Sequence, residues 1–221
     1  LHNVAHSFPT RRSSDLDMAT EALGPWWASG SLASSEALRA LGYLLGRGLG
    51  TVRRSEADSA LSLLTESERS GLTGLLIGRR FVALREALHP SRIERRALLV
   101  AVAGRPMDLG SLAGAPSLRR AKGVHASAYL RLGYAPVGPR ALRVDLLERF
   151  LEELSDPATR RSALDSPQLH QRFGCTQGEL PALLFALDPA LRPRRSGPRS
   201  PTRPHNRAPT PRPRSPRATQ S

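Results

Sequence analysis

Apolar residues recur at helical spacing in several separate stretches of this chain, and most of those stretches carry their own start or stop signal. Leu38, Leu41 and Leu45 share one face of a predicted helix that Ser34-Ser35 can cap, with Glu36 in its first turn and Gly48 and Gly50 at its exit. A second helix is predicted from Glu56 to Leu64, and Thr65 with Glu68 has the spacing of a capping box for a further short turn. The run Leu75 to Leu84 differs. It is rich in branched and aromatic residues and broken by Gly78, which predicts a short strand pair or an extended segment.

Ser91 and Glu94 form another capping-box pattern ahead of an apolar stripe at Ile93, Ala97, Val100 and Ala101. This predicts a helix over Ser91–Ala103, stopped by Gly104 and Pro106. Residues 105–123 read as a loop, Ala126–Leu132 as a helix of about two turns, and Gly133–Pro139 as a turn-rich segment. Arg143–Leu154 places Val144, Leu147, Leu151 and Leu154 on one helical face, with Asp145, Arg149 and Glu153 at i,i+4 spacing on the other. Ser166-Pro167 and Thr176 with Glu179 open two short helices joined through Phe173-Gly174-Cys175, a helix-turn-helix outline in which Pro181 delays the second helix toward Glu179. The predicted fold class is mainly α, a small helical region with a minor β element and a closing helix-turn-helix-like hairpin between disordered termini.

Charge redraws the boundaries. The chain carries +14, and 32 of its 33 basic residues are arginine, Lys122 being the exception. Residues 189–221 hold nine Arg, nine Pro and no acid, too little apolar surface to fold, so a disordered tail is expected there. His6 to Leu16 reads as the translation of a short-read sequencing adapter. Residues 1–16 are therefore expected to be non-native, with the natural sequence starting near Asp17. Removing the tail's +9 and the first segment's +1 leaves +4 on residues 17–188, a mildly basic region of domain size. The lone Cys175 excludes an internal disulfide and fits a reducing, cytoplasmic setting. The longest apolar run, Ala97 to Ala103, is far short of the ~20 residues that span a bilayer, so no membrane partner is expected.

Catalytic patterns are missing. No G-x-x-x-x-G-K-[ST] loop occurs, and Gly46-Arg47-Gly48-Leu49-Gly50-Thr51 follows a helix where a phosphate cradle would follow a strand, so it reads as a helix exit. His89, His125 and His170 lack metal-ligand spacing to one another or to Cys175, no nucleophile elbow is present, and Glu152-Glu153 reads as a solvated face. No catalytic, metal or cofactor residue is assigned. Arginine clusters offer more. Arg79-Arg80 lies in the strand-like segment, Arg92, Arg95 and Arg96 on one helix, Arg119, Arg120 and Lys122 in a loop, and Arg140 and Arg143 at the start of another helix. Such groups neutralise phosphates and position a strand without reading its bases. Arg79, Arg80, Arg119, Arg120, Lys122, Arg140 and Arg143 are the candidate nucleic-acid contacts. Each cluster taken alone also suits a solvated face in the product of a GC-rich gene.

Gly133-Tyr134 followed by Gly138-Pro139-Arg140-Ala141-Leu142-Arg143-Val144-Asp145-Leu146-Leu147-Glu148-Arg149 resembles the G-Y-x-x-x-G-P-R-A-[VL]-R-[VI]-D-[ML]-L-E-R run in the C-terminal region of bacterial helicase-related proteins. These are superfamily 2 enzymes akin to the mitochondrial degradosome RNA helicase. Ile77-Gly78 leading to Ala87-Leu88-His89-Pro90, and Gly174-Cys175 ahead of Leu183 to Leu187, are similar to two further blocks, so the resemblance spans roughly Ser34 to Leu187. Arg85 departs from it where a proline is expected, Ala135-Pro136-Val137 departs inside the main block, and Asp188-Pro189 stands in place of a Gly-Tyr pair. The tail starts where the match stops, which fits either a native basic tail or a frameshifted reading.

The resemblance implies upstream RecA-like motor domains of the same protein, working with ATP and Mg on RNA or DNA. This chain would be their helical accessory region, without ATPase activity of its own. Two other readings stay open: a helix-turn-helix DNA-binding regulator centred on Ser166–Leu187, in which Gln177, Gly178 and Glu179 would lead the reading helix, and a structural scaffold region with no ligand of its own.

Overall fold

The computed structural model describes Leu23 and residues 34–102, 105–106, 109 and 112–191. The adapter-like segment and the Arg/Pro-rich stretch beyond Leu191 lie outside the described residues. The architecture is mainly α, with two three-stranded sheets and a two-stranded ribbon among the described residues.

The first unit runs α1 (Glu36–Arg47), β1 (Thr51–Arg53), α2 (Arg54–Ser62), α3 (Glu66–Gly71), β2 (Leu75–Ile77) and β3 (Phe81–Leu84). Ser35 caps α1, its hydroxyl accepting from Leu38 N–H at 3.2 Å, and Leu38, Leu41 and Leu45 are buried. The Thr65–Glu68 capping box forms at α3 with both of its reciprocal bonds. α2 and α3 follow one another across a short turn at residues 63–65, and β2 and β3 follow as an antiparallel hairpin. β3 is the central strand, with Val82 opposite Val52 on one side and Ile77 on the other.

A 3₁₀ turn at Glu86–Leu88 leads to the second unit: α4 (Pro90–Leu99), β4 (Ala101–Val102), β5 (Arg105–Pro106), β6 (Ser117–Arg119), α5 (Ala126–Arg131), β7 (Tyr134–Val137) and β8 (Arg140–Arg143). This unit repeats the plan of the first. Its sheet order β6-β8-β7 matches β1-β3-β2, and Thr51-Val52-Arg53-Arg54 corresponds to Ser117-Leu118-Arg119-Arg120. The bonds correspond too. Arg54 N–H donates to Arg80 C=O and Leu84 N–H to Gly50 C=O; Arg120 N–H donates to Pro139 C=O and Arg143 N–H to Pro116 C=O. In both units the arginine after the first strand reaches its own hairpin turn, Arg54 Nη1 to Gly78 C=O at 3.1 Å and Arg120 Nη1 to Gly138 C=O at 2.9 Å. Of the first unit's elements α2 has no counterpart, the loop 120–125 taking its place, and the β4–β5 ribbon is added in the second.

Three expectations change here. The helix expected over Ser91–Ala103 starts at Pro90, with His89 as N-cap, and ends at Leu99. Proline at the first helical position sets the start, and Val100 turns extended so that Ala101-Val102 can pair with Arg105-Pro106. The expected loop over 105–123 contains β5 and β6, and the turn-rich Gly133–Pro139 is largely β7. Gly138 turns that hairpin with φ +53°, and a Cβ there would press on Ala186 and the Ala182 carbonyl.

The last four helices are α6 (Val144–Ser155), α7 (Pro157–Asp165), α8 (Leu169–Arg172) and α9 (Leu180–Leu187). α6 falls where its stripe predicts. α7 was not anticipated, although Asp156-Pro157 is an N-cap followed by proline at the first helical position; Asp156 Oδ1 accepts from Ala158 N–H at 2.9 Å. α8 begins three residues after Ser166, with Gln168 as its N-cap, and α9 begins at Leu180 after Thr176 and Glu179 exchange capping bonds. Phe150 of α6 meets Phe173 edge to face, 5.0 Å between ring centroids, and Leu169, Leu183, Leu184 and Leu187 pack into the same core.

Candidate nucleic-acid interface

The seven sequence-selected cations separate into three environments. Arg140 and Arg143 work inside the fold. Arg140 is buried, its Nε donating to Ser117 Oγ at 2.7 Å and its Nη1 meeting Glu179 at 3.2 Å. Arg143 grips Asp145 with two bonds of 2.7 and 3.0 Å and donates to Gly114 C=O at 2.7 Å. Both side chains are therefore engaged by their own chain. Neighbouring pairings shift as well. Asp145 pairs with Arg143 rather than with Arg149, and Glu153 leaves the solvated face to take both nitrogens of Arg172 at 2.6 and 2.8 Å.

Arg119, Arg120 and Lys122 form a corner at the end of β6, all three exposed. Arg119 lies 3.4 Å from Glu179, whose carboxyl is held below its ordinary pKa first by the Thr176 backbone N–H and less by Arg140 and Arg119. That carboxylate offsets part of the corner's positive charge.

Arg79 and Arg80 belong to a larger feature, a trough along the seam between the two units. Two adjoining grooves, of about 230 and 580 Å³, share Arg53 and Leu130 in their walls. The first unit contributes Arg47 at the end of α1, Arg53 and Arg54 where β1 passes into α2, and Arg79 and Arg80 at the hairpin turn. Arg131 comes from α5 of the second unit, and Phe81, Ala135 and Val137 line the apolar side. Six arginines face two acids. Glu56 stands 4.0 Å from Arg53 and Asp58 lies 2.6 Å from Arg54. Arg54 is further tied to Gly78 C=O, and Arg80 donates to Leu187 C=O at 2.8 Å. Arg47, Arg53, Arg79 and Arg131 expose their side chains.

The trough is held open by two buried charges. Glu148 of α6 receives Arg79 N–H at 2.6 Å, Arg80 N–H at 2.9 Å and Phe81 N–H at 2.8 Å, pinning the first hairpin turn to the last helical group. Arg96 of α4 is fully buried and donates to the carbonyls of Leu49 and Ala87 in the first unit and of Arg131 and Leu132 in the second. Burial pulls its pKa down to about 9, which leaves it cationic at neutral pH, solvated by carbonyl dipoles. The sequence places Arg96 with Arg92 and Arg95 on one helix, but in the structure Arg96 is fully buried. Its place i+3 from Ile93, within the apolar stripe, is the signal that separates it from them.

Among the described residues no three His, Cys, Asp or Glu side chains converge as a metal site, and no helix is long and apolar enough to cross a membrane. Cys175 is buried, and burial raises its thiol pKa, which keeps it protonated and unreactive. No family model, curated protein or solved structure matches this chain.

Proposed function

We propose that this chain is the nucleic-acid-contacting accessory region of an ATP-dependent RNA or DNA helicase, and that it holds a strand by its phosphates in the seam trough. The observation that carries this reading is the excess of arginine there, six against two acids, presented by both units along two adjoining grooves. Exposed guanidinium groups at that density favour the charged backbone of a strand. The apolar wall offers contact to sugars and bases without base-edge recognition. The parent helicase, its RecA-like motor domains and their ATP and Mg rest on the sequence resemblance alone, and a cytoplasmic setting follows from the same reading.

A base-reading regulator has less support. In both pairs of short helices the second helix leads with acids, Glu66 and Glu68 on α3 and Glu179 ahead of α9, where a phosphate-facing helix would carry cations.

A salt titration of the full chain on a fluorescent single strand tests the proposal. The triple variant Arg53→Glu, Arg79→Glu, Arg131→Glu should bind at least tenfold more weakly at low salt. Its log–log salt slope should be shallower by about 2, since each phosphate contact contributes about 0.7 on a single strand. Wild-type affinity and slope in that variant, with loss only on reversing Arg119, Arg120 and Lys122, would move the contact to the β6 corner. Unchanged binding in both variants would reject the reading.

A further inference from the structure

A second cleft, on different residues, is lined by Arg85, Arg92, Arg143 and Arg149 and has a volume of about 780 Å³. Arg85 follows β3, Arg92 lies in the first turn of α4, and Arg143 and Arg149 belong to the start and second turn of α6. Leu76 and Leu88 supply an apolar patch, and Glu86 and Asp145 are its acids. Two helices begin at its rim. The N-cap side chains, His89 of α4 and Arg143 of α6, make no bond to the first-turn amides. Those N-terminal ends add partial positive charge on the side of the cleft where the arginines stand.

We propose that this cleft binds a phosphate monoester, the terminal phosphate of a nucleotide. Arg143 and Asp145 neutralise each other, and Arg85, Arg92 and Arg149 against Glu86 leave a formal +2. A phosphate monoester carries close to −2 at neutral pH, whereas an internal phosphodiester carries −1. Guanidinium forks match phosphate oxygens in pairs. Two of these arginines are already partly committed: Arg85 Nε donates to Leu75 C=O at 3.0 Å, and Arg143 is bonded to Asp145 and to Gly114 C=O. These bonds fix both in place before a ligand arrives. The volume falls within the range of small-molecule sites and far exceeds a bare phosphate, and Leu76 and Leu88 give an attached nucleoside something to pack on. The trough shares none of these residues, so the cleft stands independently of strand binding along the seam.

Two ligands carry this chemistry, a free mononucleotide and the phosphorylated end of a strand. Equilibrium dialysis of the full chain with adenosine 5′-monophosphate probes the first. Anisotropy of decamers with a 5′-phosphate, a 3′-phosphate or hydroxyl ends, each dye-labelled at the other terminus or internally, probes the second. Saturable binding of the mononucleotide, or at least tenfold preference for one phosphorylated end that inorganic phosphate competes away, supports the site and identifies its source. Arg149→Glu should weaken that binding about tenfold, and so should Arg85→Gln, a milder second variant whose folding is checked by circular dichroism. Arg131→Glu in the trough should leave the phosphate preference intact while weakening the hydroxyl-ended decamer. Absence of both mononucleotide binding and end preference would overturn the proposal, as would a preference that survives Arg149→Glu and Arg85→Gln. Loss of hydroxyl-ended binding alone would count against the trough and leave the cleft standing.

Discussion

Replacing Gly78 by alanine should destabilise the protein only while Glu148 is present. An alanine Cβ at position 78 would overlap Cγ, Cδ and Oε2 of Glu148. Gly78 is not among the glycines with positive φ, so its backbone accepts an L side chain and the overlap is the cost. To relieve it, the carboxylate must retreat from the amides of Arg79, Arg80 and Phe81. Phe81 N–H is buried while the other two are partly buried, so one donor loses its partner outright and two fall back on water. At about 1–3 kcal/mol for an unsatisfied buried group, and less for the others, Gly78→Ala should cost about 2–4 kcal/mol. Glu148→Ala removes the same bonds and should cost about 3–5 kcal/mol. In the double variant the small side chain leaves room for the new methyl, so the second substitution should add less than about 1 kcal/mol, a coupling of 1–3 kcal/mol. Urea unfolding of the four proteins, followed by far-ultraviolet circular dichroism, closes the cycle. Additivity within about 0.5 kcal/mol would refute the clamp.

Removing the other buried charge by Arg96→Met keeps the packing volume but leaves the carbonyls of Leu49, Ala87, Arg131 and Leu132 without their donor. A loss of about 3–5 kcal/mol in the same urea assay is expected. Arg172→Met should cost about 1 kcal/mol at neutral pH, since Arg172 binds Glu153 twice and lies 5.8 Å over the Phe150 ring. The Arg172 hydrogen bond holds the Glu153 pKa below its ordinary 4.5. The stabilisation is therefore present above that value and lost as pH falls through the lower folded pKa. Melting temperatures of wild type and variant should accordingly converge in acid, and a gap that stays constant down to about pH 2 would remove Glu153 from the explanation.

Legibility in the sequence tracks how many independent local signals agree. α1 has a serine cap, an acidic first turn, a clean stripe and a glycine exit, and it forms where those signals place it. α6 has a full apolar face and starts one residue from its predicted boundary. The Ser91–Glu94 box fails because Pro90, one residue earlier, is the stronger starter. β6 leaves no sequence signal because Ser117-Leu118-Arg119 is too short for alternation to show, and its partner β8 lies more than twenty residues away. The repeated plan of the two units is hidden in the sequence for a related reason. What the two units share is bonding between strand, helix and hairpin turn, and the only adjacent residues that preserve it are Thr51-Val52-Arg53-Arg54 and Ser117-Leu118-Arg119-Arg120. Of the candidate site, Arg79-Arg80 was visible as a pair. Arg47, Arg53, Arg54 and Arg131 are separated in sequence, and only the seam brings them together.

Arg96 and Glu148 share a signature that local helix reading passes over. Arg96 occupies the i+3 position of the stripe Ile93, Ala97, Val100, and Glu148 the i+4 position of the stripe Val144, Leu147, Leu151. A charge in an apolar stripe is buried when the helix packs, and it is tolerated only where the neighbouring element supplies polar groups of opposite sign. Here those groups are backbone: carbonyls for Arg96 and amides for Glu148. Backbone partners cannot rotate away as side chains do, so each charge fixes the distance between the elements it joins. Arg96 binds the loop after α1 to the end of α5, beside Arg47 and Arg131. Glu148 binds the hairpin turn that carries Arg79 and Arg80 to α6. The two walls of the trough are thereby set relative to one another, and a preformed groove spends little free energy on ordering itself when it takes a ligand.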